Sequence, residues 1–373
     1  MRIVIADEGD PFDSTLAGER PLRGAELCLV RLAEAFAAAG HEVLCLTRCR
    51  HPLLRNGVRW IPLHDVPLWK TLPVDLFIVA RGGRALDLAA RWGGAVGRLV
   101  LWSLTGPQVS LPLLWRLWRR RPLLVFVSQA QAAACPVWVP GLRRVIPHGV
   151  APLFVSHRQD PPPPRAAFLS DPRRGLADLL DLWEQRVLPR LPGAELHVFT
   201  GSAIMGRGDA DLPETAGLLA RAGQTAGVVL HGAVPQKPLA GELAGLRAFC
   251  YPATVEEAFC LPAAETQALG LPGVVMARGA LPERVQNGVT GFVTPAGNAA
   301  AFAEALIAVL EKNVLWSHLH RAACEQPVRR WPEVAAEFLA LVEQPVTARP
   351  AMTGPLPPSA HRLSADGVAA GAE

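Results

Sequence analysis

Two carboxylates, Glu257 and Glu265, lie eight positions apart in the segment Glu257-Ala-Phe-Cys-Leu-Pro-Ala-Ala-Glu265, separated by an apolar loop and a proline. Proline suits the first position of a helix, where its missing N–H costs nothing. The spacing predicts a helix over 262–269, stopped by Gly270 and barred from continuing by Pro272. The N–H groups of Phe259, Cys260 and Leu261 then point outward from the positive end of that helix, an arrangement suited to a diphosphate. Glu265 falls about one turn inside, near enough to reach a sugar hydroxyl beyond the phosphates, and Glu257 lies on the other side of the phosphate position.

The flanking sequence carries further ordered motifs. Val228-Val-Leu-His-Gly-Ala-Val234 and Phe249-Cys-Tyr-Pro-Ala253 precede the segment, and Gly279-Ala-Leu-Pro-Glu283 and Asn287-Gly-Val-Thr-Gly-Phe292 follow it. The N-terminal half adds Arg23-Gly-Ala-Glu26, Gly40-His-Glu-Val43 and Ile146-Pro-His-Gly-Val150. Together these resemble the retaining GT-B glycosyltransferases of the large family 4 group, over roughly residues 1 to 343. The resemblance implies an α/β protein of the GT-B type, with two Rossmann-like doubly wound domains facing a central cleft. It also implies a nucleotide-diphosphate sugar as donor substrate, a glycan or lipid-linked acceptor, and neither metal nor cofactor.

A departing diphosphate needs positive charge around it. Relatives place Gly-Arg after the first strand of the donor domain and Lys-Gly a few residues on. Here the region reads Ser170-Asp-Pro-Arg-Arg-Gly-Leu176, so Arg174 takes the lysine position and Arg173 stands in for the upstream arginine within a shortened loop. Where relatives have Gly-Gly before the first helix, this chain has Arg23-Gly24. Gly24 keeps the position that lets backbone approach the phosphates, while Arg23 either clamps a phosphate or narrows the pocket. The resemblance thus implies that Glu257 orients hydroxyls of the transferred sugar and Glu265 holds the ribose. Arg174 and the amides of Phe259, Cys260 and Leu261 stabilise the leaving group. The one Asp-x-Asp triplet, Asp209-Ala-Asp211, reads as a solvated loop and helix cap rather than a metal site.

Many relatives carry a histidine after the fourth or fifth strand of the first domain. The stretch Leu101-Trp-Ser-Leu-Thr-Gly-Pro107 has none, leaving Ser103 or Thr105 to hydrogen-bond the donor sugar. His148 stands where relatives have asparagine and is expected to be structural, near the cleft. Arg23, the short 170–175 loop and the absent histidine motivate a second reading, a protein of this fold that binds a nucleotide-sugar or a partner without turnover. Phosphorylase or epimerase chemistry is a third.

The elements needed to hold these residues are legible in the alternation of short β-rich runs with amphipathic stretches, the pattern of a parallel sheet covered by helices. Strands are expected over 2–6, 42–47, 75–79, 98–102 and 123–128, with a first helix over 25–39 ending at Gly40. The run Gln159-Asp-Pro-Pro-Pro-Pro-Arg165 breaks the composition and reads as a stiff spacer. Alternation then restarts, with strands over 166–169, 195–199, 228–230, 249–251 and 274–276 and helices over 175–191, 214–222 and 299–311. The expected division is an acceptor domain over 1–158, a donor domain over 159–330 and a helix over 331–344 packing back on the first domain. A tail over 345–373, with little to bury, should be disordered.

At 373 residues the chain holds two well-formed cores, and its net charge of +4 argues against a nucleic-acid binder. No apolar run reaches the roughly 20 residues that span a bilayer. The N-terminus turns acidic by Asp7 without a signal-peptide core, so a cytoplasmic protein is expected. The seven cysteines are scattered and expected to be reduced and mostly buried, Cys260 being the one placed for exposure, with no base beside it to make it a nucleophile. Leu111-Pro-Leu-Leu-Trp-Arg-Leu-Trp-Arg-Arg-Arg121 fits two roles. One is a core-facing helix with arginines at its C-terminus; the other is peripheral contact with an anionic membrane at its inner face, which suits a lipid-linked acceptor.

Overall fold

In the computed structural model, the described residues are 1–63, 65, 71–81, 83–106, 109–156, 158–201 and 213–343. The Asp209-Ala-Asp211 triplet and the 345–373 tail lie outside them. The compact unit Met1–Glu343 holds two sheets. The first contains β1 (Arg2–Ala6), β2 (Glu42–Thr47), β3 (Leu53–Arg55), β4 (Val58–Pro62), β5 (Val74–Ala80), β6 (Val96–Ser103), β7 (Leu123–Phe126) and β8 (Arg143–Val145). Their order is β3-β4-β2-β1-β5-β6-β7-β8, parallel except for β3 against β4. The second contains β9 (Arg165–Phe168), β10 (Glu195–Val198), β11 (Val228–Leu230), β12 (Ala248–Tyr251), β13 (Gly273–Met276) and β14 (Gly291–Thr294). It runs β11-β10-β9-β12-β13-β14, and every pairing is parallel.

The central strands bury both faces. Ile3, Val4, Ile5 and Ala6 of β1 are fully buried, as are Phe77, Ile78 and Val79 of β5. Such runs belong to parallel sheets covered on both sides. The helix Gly24–Ala38 covers one face of the first sheet through Leu29, Leu32, Ala33 and Phe36. The helix Trp331–Glu343 joins that layer: Phe338 meets Phe36 and Trp102 edge-on, with ring centroids 6.4 and 5.4 Å apart. Leu86, Ala89, Leu117, Cys135 and Val139 fill the opposite face.

The edge hairpin β3–β4 has no place among the expected strands. Its turn is Asn56-Gly57, both residues at positive φ (50° and 76°), a dipeptide that favours a two-residue hairpin. The proline run is anchored by a side chain of the second domain. Buried Arg247 donates to the Pro162 carbonyl (2.9 Å), the Val309 carbonyl (2.8 Å) and Asn313 Oδ1 (2.8 Å), tying the run to the second domain. The chain crosses between the sheets earlier. Val150 N–H donates to the Arg329 carbonyl (2.9 Å), where the chain returns. Gly149 permits this close crossing, because a Cβ there would lie 2.6 Å from the Trp331 nitrogen.

Candidate active site

The carboxyl ends of the two sheets face a cleft of about 560 Å³. Ligands bind at such ends in open α/β folds because loops and helix N-termini gather there. On the side of the second sheet, the chain leaves β12 through the Glu257 loop and enters the helix Leu261–Ala268, one residue earlier than proline placement suggests. Cys260 occupies the N-cap with φ 65° and ψ 76°, and no side chain caps the helix. Among the described residues, no protein group accepts a hydrogen bond from the N–H of Phe259, Cys260 or Leu261. All three residues line the cleft. Unaccepted N–H groups at a helix tip constitute an anion site.

Neighbouring backbone holds this loop from behind. Gly279 has φ 54°, and a Cβ there would stand 2.2 Å from the Glu257 carbonyl oxygen. The Ala280 N–H donates to that oxygen at 2.8 Å, and the Glu256 carboxylate accepts from the Gly279 N–H. The Gly279-Ala-Leu-Pro-Glu283 motif therefore supports Glu257. Its Glu283 also reaches the first domain, accepting from the N–H groups of Gln129 (3.2 Å) and Ala130 (2.6 Å).

Glu257 is held by a chain of polar groups. Arg174 Nη1 donates to its Oε1 at 3.0 Å, and the Tyr251 hydroxyl donates to the same oxygen at 2.6 Å. Ser170 Oγ donates to the Tyr251 oxygen at 3.1 Å, and Thr200 Oγ1 to the Ser170 carbonyl at 2.5 Å. Burial and the Glu257 charge raise the Tyr251 pKa well above its ordinary value, so the hydroxyl keeps its proton. Burial opposes the Arg174 charge, but Glu257 and Tyr251 outweigh it and raise its pKa. Tyr251, the single tyrosine of the chain, is absent from the residues singled out by sequence, although it ends the strand before the site. Arg174 is followed by Gly175 at φ 124°, where a Cβ would lie 2.3 Å from the Pro252 carbonyl oxygen. That contact packs the arginine loop onto the exit of β12.

Arg173 turns away from this group. Its guanidinium donates to both Asp171 oxygens (3.0 and 2.6 Å) and lies at the cleft rim. Glu265 is buried at 3% exposure and accepts from Gln236 Nε2 at 2.6 Å. Gln236 Oε1 in turn accepts from Arg31 of the Gly24 helix at 2.8 Å, a link across the cleft between the two domains. Burial raises the Glu265 pKa to about 8 against the opposing pull of Gln236 and Arg31. Cys260, expected to be exposed, is buried at 7% with its thiol pKa raised by burial; Cys324 is the exposed cysteine. The left-handed N-cap directs the Cys260 side chain into the core beneath the second sheet's loops.

On the first-domain side, Gly24 borders the cleft with open space beside it. Arg23 pairs with Asp10 and with Glu26 (2.9 Å). Arg81, a residue with no motif to mark it, lies at φ 62° and packs over Gly9. It bonds Asp7 (Nε to Oδ1, 3.0 Å) and Glu26 (2.8 Å), whose charges hold its pKa above the ordinary value despite burial. Two arginines and three carboxylates thus form one connected array on this wall.

The loop without a histidine presents Leu104, Thr105 and Gly106 to the cleft. Ser103 is turned inward, its hydroxyl donating to the Thr105 carbonyl at 3.2 Å. His148 lies in the wall beneath Phe259, ring centroids 4.7 Å apart, and packs on Trp102 and Trp331. Its Nδ1 is buried without a hydrogen-bond partner. Burial, with Arg284 and Arg329 nearby, lowers its pKa to about 3 and keeps the ring neutral.

Comparison with known proteins places this geometry. Residues 165–312 match the family model described as glycosyl transferases group 1. No curated protein sequence matches the chain. Among solved structures, it is similar to sucrose-phosphate synthase from Thermosynechococcus elongatus (TM-score 0.72, 20% identity, covering 92% of this chain and 98% of that one). It is also similar to HepE of Anabaena in complex with UDP and glucose (TM-score 0.66, 17% identity, 92% and 99% covered). A third is WaaG, a glycosyltransferase involved in lipopolysaccharide biosynthesis (TM-score 0.65, 14% identity, 91% and 99% covered). The chain therefore has the GT-B fold, two Rossmann-like domains around a cleft, and its residues 165–312 carry the match to glycosyl transferases group 1.

Proposed function

We propose that this chain is a glycosyltransferase that moves a sugar from a nucleotide-diphosphate sugar to a glycan or lipid-linked acceptor, with retention and without a metal. The observation that carries the reading is the uncapped helix tip at Phe259, Cys260 and Leu261, set beside the Arg174–Glu257 pair. Amide dipoles and a guanidinium together stabilise a departing diphosphate by the electrostatics that a bound cation supplies elsewhere. Glu257, fixed by Tyr251 and Arg174, orients hydroxyls of the transferred sugar. Glu265 lies one turn inside the same helix, where the ribose of the donor falls; to bind it, the carboxyl group shares or exchanges its bond to Gln236. No protein nucleophile is needed if the departing phosphate takes the acceptor proton.

HepE structures hold UDP, glucose and UDP-glucose, so UDP-glucose is the first donor to try, followed by GDP- and ADP-sugars. The test is sugar release or transfer from these donors with and without a chelator. Turnover in chelator that is lost in Arg174→Ala supports the reading, whereas turnover restored only by added metal overturns metal independence. A second reading is donor binding without catalysis. It draws on the Leu104–Gly106 wall, which offers no imidazole, and on the engagement of Arg23 by Asp10 and Glu26. Tight donor binding with no turnover across acceptors would favour it.

A further inference from the structure

The helix Leu111–Arg120 buries Leu117, with Leu113 and Leu114 packed beside it against the first sheet. Its other side carries Leu111, Trp115 and Trp118 at helical spacing, exposed at 82%, 53% and 64%. Val137 and Trp138, which follow the next helix over the same sheet face, are exposed at 93% and 63%. Exposed tryptophans on successive turns of one helix are unusual for a surface that meets only water.

Charge identifies the occupant. Between Asp87 and Asp160 the chain contains no carboxylate, and the helix ends on Arg119, Arg120 and Arg121. Arg116 bonds Asp87 at 2.8 Å, and Arg119 lies over the Trp115 ring at 5.4 Å. Among the described residues, no carboxylate pairs with Arg119, Arg120 or Arg121. Charge alone would also suit an acidic protein, but exposed tryptophans on an amphipathic helix that ends in a cluster of arginines match the headgroup boundary of an anionic bilayer.

We infer that Leu111, Trp115, Trp118 and Arg119–Arg121 form a docking face for a bilayer rich in anionic phospholipid. The face begins five residues after cleft-lining Gly106, on the first-domain side of the cleft. This deepens the transferase reading by favouring the lipid-linked acceptor, and only that choice of acceptor rests on it. Docking itself does not.

The experiment is flotation of the full chain with phosphatidylcholine vesicles, alone or mixed with phosphatidylglycerol. Binding is expected only to the mixed vesicles and weakened by salt. Each arginine near such a surface contributes about fivefold to partitioning, so Arg119→Gln/Arg120→Gln/Arg121→Gln should weaken it roughly a hundredfold. Trp115→Ala/Trp118→Ala should also reduce it; both side chains are exposed, so the fold is retained. Calorimetric binding of UDP by these variants reads the donor site separately. Failure to bind mixed vesicles, equal binding to both compositions, or undiminished binding by the arginine variant would overturn the inference. Self-association abolished by the tryptophan changes without vesicle binding would do the same, assigning the face to a second copy.

Discussion

The hydroxyl of Tyr251 and the guanidinium of Arg174 meet at a single oxygen of Glu257, at 2.6 and 3.0 Å. One hydrogen-bond donor comes from the end of β12 and the other from the loop after β9, adjacent strands of the second sheet. The carboxylate is therefore fixed by two backbone elements independent of its own loop. Tyr251→Phe removes one of them while leaving the ring packed on Phe168 and Phe249. The variant should lose roughly tenfold in kcat with donor Kd nearly unchanged, because positioning rather than binding is impaired. Steady-state kinetics beside calorimetry separates the two.

Arg174 has a harder task on this account, since it faces the charge that develops on the leaving diphosphate. Arg174→Ala should lower kcat on the order of a hundredfold. Arg174→Lys should recover only part, because an ammonium group cannot reproduce the planar fork that contacts carboxylate and phosphate together. Thermal unfolding should change little, the side chain being about half exposed at 47%.

The sequence displays the scaffold and one side of the site because both depend on local patterns. Buried strands of parallel sheets appear as continuous apolar runs, and a proline followed by Glu265 and Gly270 marks a short helix. The β3–β4 hairpin is marked in sequence only by its Asn56-Gly57 turn, a two-residue signal beside strands too short to show their own alternation. Arg81 was not legible. It reaches the cleft through a positive φ and through charges from β1 and the Gly24 helix, relationships that exist only once strands β1 and β5 lie side by side. The Gln236–Arg31 link behind Glu265 is likewise a product of two domains meeting. Cys260 was misplaced for a related reason, since its burial follows from a left-handed N-cap that residue type does not announce.

Glu265 supplies a pH dependence of unusual sign. Its pKa rises on folding from the ordinary carboxylate range to about 8, so the native protein binds the extra proton. Stability is thus present at low pH and falls as pH rises from about 4.5 to about 8. Glu265→Gln removes this loss and should stabilise the fold on the order of 3 kcal/mol at pH 7, with little effect near pH 4. Urea unfolding at the two pH values measures the difference. The same variant should weaken donor binding, because an amide replaces the carboxyl group proposed to hold the ribose.

His148 behaves in the opposite way. Its depressed pKa means that the unfolded chain binds more protons between about 3 and 6.5, so stability falls as pH drops through that window. His148→Asn should reduce the acid sensitivity by about 2 kcal/mol at pH 5 relative to pH 8. Paired denaturation curves at those pH values provide the check.

Gly279→Ala places a methyl group against the Glu257 backbone in a conformation that non-glycine residues rarely adopt. We expect a loss of about 2 kcal/mol and a larger proportional loss of turnover, as the loop carrying Glu257 is displaced. An equivalent change at Gly288 has positive φ but open space beside it and should spare activity.

The measurement that bears most directly on the central claim is a crystal structure of the chain with a bound nucleoside diphosphate. The account predicts phosphate oxygens within hydrogen-bonding distance of the amides of Phe259, Cys260 and Leu261, with Arg174 turned toward them and Glu265 at the ribose. Phosphates bound elsewhere in the cleft, with those three amides facing only solvent, would contradict it.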